Sequence, residues 1–121
     1  MTKFNNSLQQ LLGSPAIRYE LEIPTEVIVL FIHGIVQTLR ARDTLALIIQ
    51  LHEHGACTIS NKTLSEFLRC SEVAARRTIY ELIKQNFVEA WFDGPTNRVL
   101  VPNTKHIKDT AKPLFHTLSK K

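Results

Sequence analysis

The spacing of apolar positions along the chain changes several times, and each change marks an element. Residues 17–23 alternate strictly, with Ile17, Tyr19, Leu21 and Ile23 apolar and Arg18, Glu20 and Glu22 polar. That period of two predicts a half-buried strand, which Pro24 ends. Ahead of it, FNNSLQQLL at 4–12 predicts a short helix capped by Asn5 or Asn6 and stopped at Gly13-Ser14-Pro15. Residues 26–39 are apolar nearly all round. The β-branched run at 27–32 suits a buried strand. Length, Thr25 as an N-cap and Glu26 at the positive helix end favour a helix instead, finished at Gln37-Thr38-Leu39-Arg40. Such a helix must be covered on several sides, by the domain core alone or by the core and a second copy of the chain.

The middle of the chain is easier to read. Residues 42–54 carry Leu45, Ile48, Ile49 and Leu51 on one stripe, with Gly55 as a C-cap, and 56–59 form a short strand candidate. Ser60 caps a helix whose Leu64, Phe67 and Leu68 point inward, and Arg69-Cys70-Ser71 makes a turn. Ser71 then caps a helix over 72–86. At 100° per residue, Ala75, Ile79, Leu82 and Ile83 share one face of it, while Val73, Arg76, Arg77, Tyr80 and Lys84 share the other. Residues 88–93 and 98–102 read as two strands joined by Asp93-Gly94-Pro95-Thr96-Asn97. Trp91 lies opposite Ala90 and Phe92; core packing is the first expectation for it, a place at the domain edge or an interface the second. In the tail Ile107, Ala111, Leu114, Phe115 and Leu118 form a helical stripe, and Pro113 predicts a break or kink near Lys112. That stripe should pack on the first helices of the same chain or of a partner copy.

Composition narrows the class. At 121 residues the chain fits one domain, and 44% hydrophobic with 21% charged residues is ordinary for a soluble globular protein. The net charge of +4 is unevenly placed: residues 1–97 hold nine Lys and Arg against ten Asp and Glu, whereas 98–121 hold six against one. The basic excess is a C-terminal property and favours an anionic partner. The apolar run at 27–32 is too short to span a bilayer, and the first 15 residues lack the apolar segment of a leader. Cys57 and Cys70 are expected as free thiols in a reducing cytoplasm.

Little points to chemistry. His52, His54 and Cys57 fall close together, but two histidines two apart on a helix do not share a face. Their position near a helix C-terminus suits the helix dipole better than a metal. His33, inside an apolar run, is expected as a satisfied core or interface histidine. No nucleophile–base pair, phosphate-cradling glycine loop or carboxylate pair is evident, so neither an enzyme, a cofactor nor a metal is expected.

The order of elements is more telling. Residues 39–102 resemble a winged helix-turn-helix domain of the MarR/GntR type. In that family the reading helix ends in a leucine, three mostly polar residues, a glycine and two apolar residues entering the wing. Here Leu82 is followed by Ile83-Lys84-Gln85, then Asn86, then Phe87 and Val88. Asn stands where glycine is usual, and Asn tolerates a left-handed backbone next best. Leu64-Ser65-Glu66-Phe67-Leu68 resembles the family's second helix. YELEIPTEVI, more loosely, resembles the opening of the N-terminal winged-helix domains of phage and plasmid replication initiators.

The resemblance implies a fold that is mainly α with a small β-hairpin wing, an α+β winged helix-turn-helix with extra N-terminal (1–38) and C-terminal (103–121) segments. It implies a homodimer through 25–39 and 103–118, binding double-stranded DNA. From the residues, Arg76, Arg77 and Tyr80 are expected to read the major groove, with Lys62, Arg69, Ser71, Lys84 and Arg98 at the backbone. Transcriptional regulation is the first expectation. Replication or plasmid and phage maintenance, and a docking module without DNA, are the alternatives.

Overall fold

In the computed structural model, which describes residues 21–95 and 97–119, helices α1 (Thr25–Ile32), α2 (Leu39–Glu53), α3 (Asn61–Leu68) and α4 (Glu72–Lys84) precede strands β1 (Val88–Phe92) and β2 (Arg98–Pro102), and α5 (Thr104–Ser119) follows. The fold is mainly α with one small antiparallel hairpin, an α+β arrangement consistent with a winged helix. The helix expected at 4–12 and most of the strand expected at 17–23 lie outside the described residues. Leu21 and Ile23, within them, pack against the core from irregular backbone and not from a strand.

Three helix ends close in the same way. At each, one residue turns left-handed, its N–H bonds the carbonyl three residues back, and the next N–H bonds the carbonyl five residues back. Gly34 (φ 75°) does this after α1: Gly34 N donates to Phe31 O at 3.1 Å and Ile35 N to Leu30 O at 2.9 Å. Arg69 (φ 56°) does it after α3, and Asn86 (φ 66°) after α4, where Phe87 N reaches Leu82 O at 3.0 Å. Asn86 is therefore where the sequence places its left-handed residue.

The Gly34 turn shortens the first helix. It stops at Ile32 and does not run to 39. Thr38, expected to finish that helix, instead starts α2, its hydroxyl accepting from Ala41 N at 3.0 Å. Pro24, not Thr25, is the N-cap of α1 and makes no side-chain cap bond. Val27, Val29 and Leu30 of α1 are buried, while Ile28 and Ile32 remain exposed, so that helix is covered on one side only.

The core gathers Leu45 and Ile48 of α2, Leu64 and Phe67 of α3, Ala75, Ile79 and Leu82 of α4, and Phe87, Val88 and Leu100 of the hairpin region. β1 and β2 pair antiparallel with Val88 opposite Pro102 and Phe92 opposite Arg98. Residues 56–59 add one bridge, Cys57 to Leu100, in place of a full strand. Helix α5 packs on α1 of the same chain, burying Ile107 and Ala111. It runs through Pro113 without the expected break. Pro113 has no N–H to donate to the carbonyl of Asp109, but both residues are exposed, where water can serve that carbonyl, and Ala111, Leu114 and Phe115 anchor the helix around it.

Candidate nucleic-acid interface

Helix α4 stands on a firm base. Ser71 Oγ accepts from Ala74 N at 3.1 Å, supplying a partner to an N–H that the helix itself cannot satisfy. Thr78, on the inner side, donates its hydroxyl to Ala74 O at 2.9 Å and so enters the core without an unpaired group. With Ala75, Ile79 and Leu82 buried, the helix cannot roll. Its outer face is thereby fixed: Val73, Arg76, Arg77, Tyr80 and Lys84 are all exposed, as the helical spacing predicts.

Arg76 and Arg77 make no ion pair with any described residue. Two shallow hollows flank these arginines. One, of about 260 Å³, is lined by Val73, Arg76, Arg77 and Tyr80. The other, of about 500 Å³, lies between α4 and the start of α2, where Arg40 and Thr38 face Arg77, Glu81 and Lys84. Sequence reasoning misses Arg40 because it places Thr38 at the end of the preceding helix, whereas Thr38 caps α2. The Thr38 cap itself was the signal that could have found it. Arg42, by contrast, is held by Asp43 at 2.9 Å and over the Phe31 ring at 5.2 Å.

Of the expected backbone contacts, Lys62 on α3 and Arg69 in the α3–α4 turn are exposed on the approach to α4. Arg98 is different, and the expectation that it reaches out from the wing tip is corrected. Its guanidinium turns inward and donates to Asn61 Oδ1 and to Ile59 O, both at 2.8 Å. Burial lowers its pKa, and the nearby Cys57 acts in the opposite sense. The Cys57 thiol is itself pushed up to about 11 by burial, against the smaller effects of the Ile59 N–H and of Arg98.

The hairpin thus shows a surface without an outward arginine. Among the described residues, Glu89, Trp91, Phe92, Asp93, Pro95 and Asn97 have exposed side chains along β1 and the turn. Trp91, expected first in the core, is 60% exposed, and Phe92 is 67% exposed. The strands extend past the core at this end, so neither face of the hairpin tip is covered.

The remaining polar groups have structural partners or none. His106 donates from Nε2 to Gln85 O at 3.1 Å and stacks at 5.1 Å from Phe87, tying α5 to the end of α4. His33 Nε2 is shielded from solvent with no hydrogen-bond partner among the described residues, contrary to the expectation of a satisfied histidine. Cys57 points into the core while His52 and His54 are exposed, so these three do not converge. Both cysteines are free. No helix among the described residues is long and apolar enough to cross a membrane. Comparison with protein-family models, curated proteins and solved structures finds no match for this chain.

Proposed function

We propose that this chain is a double-stranded DNA-binding protein that lays the outer face of α4 in the major groove. The observation that carries the reading is the pair Arg76 and Arg77, exposed and without an ion-pair partner among the described residues, on a helix whose other face is locked into the core. A guanidinium fork matches the two acceptors of a guanine edge, and Tyr80 can donate to a phosphate while its ring packs on the sugar. Lys62, Arg69, Lys84 and Ser71 serve the backbone, and Arg40 joins them across the hollow beside α4. The reading is of a binding protein in the cytoplasm, not an enzyme, working as a transcriptional regulator or in replication and maintenance of a mobile element.

A homodimer would set two such helices about 34 Å apart on the duplex. Helix α5 packs on α1 within one chain, and Ile28, Ile32 and Leu39 are exposed apolar side chains near it that a second copy would cover. Fluorescence anisotropy with duplex DNA over a salt series tests the reading. Affinity should fall with a slope of about −0.9 per neutralised phosphate. Equal affinity in Arg76→Ala plus Arg77→Ala would remove α4 as the reading element.

A docking module is the second reading, favoured by the exposed Trp91 and Phe92 beside Glu89 and Asp93. It predicts no duplex affinity at any salt concentration and a protein partner lost in Trp91→Ala.

A further inference from the structure

We infer that Val73 is a specificity-determining residue that reads the C5-methyl group of a thymine. The inference rests on the DNA-binding reading above and adds to it a base and an atom.

Val73 is the second residue of α4 and is 51% exposed. The first turn of a reading helix is the part that approaches base edges. A valine there does nothing for the helix: a β-branched side chain loses rotamer freedom on a helix, and this one buries little in return. Its neighbours are Arg76, Arg77 and Tyr80, at i+3, i+4 and i+7, and the four line one hollow of about 260 Å³. Three of those side chains bring donors. Val73 alone brings a purely apolar surface, set in a charged and polar ring. In the major groove the thymine methyl is the apolar projection that distinguishes one base pair from the others. An isopropyl group beside two guanidinium forks is complementary to a thymine beside hydrogen-bond acceptors, and to no other unmodified base.

The test starts from a duplex selected by the native protein from a random library. Each thymine of the selected site is then replaced singly by deoxyuridine, which removes the methyl and keeps every hydrogen-bonding group. One thymine per half-site should weaken binding by about fourfold on replacement, the effect of one buried methyl. Val73→Ala should bind the thymine and deoxyuridine duplexes equally. Arg77→Ala should bind both more weakly while keeping the ratio between them. Circular dichroism checks that each variant is folded, which exposure of these positions favours. If no replacement weakens binding, or if the methyl effect survives in Val73→Ala, the inference is overturned while DNA binding stands. If no duplex is selected at all, the DNA-binding reading falls and this inference with it.

Discussion

Helix α4 and the β1–β2 hairpin begin from the same expectation, that each carries cations toward an anionic partner. They use their arginines in opposite ways. Arg76 and Arg77 project from a helix whose own hydrogen bonds and buried face are complete without them. Arg98 is part of the structure that holds the hairpin in place, joined to Ile59 and Asn61. The lesson is that an arginine counts toward a partner only when the fold leaves it without work. Outward charge on the hairpin is acidic, from Glu89 and Asp93, and its exposed bulk is aromatic.

The comparison can be broken most directly at α4. Arg76→Ala plus Arg77→Ala should lower duplex affinity by roughly 100-fold or more, since each base-edge fork contributes about 1–3 kcal/mol. Thermal melting should be unchanged, because neither side chain has an ion-pair partner to lose among the described residues. Arg98→Ala should do the reverse. Leaving the Ile59 carbonyl without its donor costs about 1–3 kcal/mol, seen as a fall of several degrees in Tm, with affinity altered only through stability.

The pH dependence of stability sharpens the hairpin side. In the unfolded chain Cys57 ionises near its ordinary value of 9.0, and in the folded chain near about 11. Its folded pKa is raised, so its contribution is complete below pH 9 and is lost as pH rises toward 11. Urea unfolding of the native protein should therefore weaken over that window by about 2 kcal/mol more than unfolding of Cys57→Ala. Smaller still, Ser71→Ala should cost about 1 kcal/mol by removing the cap of α4, a loss of stability without loss of outward charge. The least effect is expected for Trp91→Ala, within about 0.5 kcal/mol of the native protein in chemical unfolding, because so exposed a side chain has little burial to forfeit.

Much of α4 was legible from its own residues. The Ser71 cap, the stripe through Ala75, Ile79 and Leu82, and the left-handed Asn86 are local signals, and each holds in the fold. The α1–α2 boundary was misread because two signals competed at Thr38. A threonine followed by Leu-Arg reads as a helix end when the chain before it is apolar, and as a cap only once Gly34 is seen to close α1 first. The direction of Arg98 was beyond sequence reading, since it depends on residues 37 and 39 positions away. Trp91 was legible as opposite to Ala90, but not as uncovered. That depends on how far the hairpin projects past the core, which strand alternation does not encode.

The root of the hairpin has a consequence for how it opens. Leu100 N donates to Cys57 O at 2.9 Å, two residues along the strand from the Arg98 pair of bonds, and Leu100 is fully buried. Parting the root exposes Leu100 and Cys57 together, so it is coupled to opening of the core. At the tip Asp93 N donates to Asn97 O at 2.8 Å, and the exposed side chains there cover no part of the core. Amide hydrogen exchange should therefore be as slow at Leu100 as in the middle of α2, and fast at Asp93. The hairpin behaves as a lever clamped at one end, whose free end can adapt to what it meets without loosening the helices behind it.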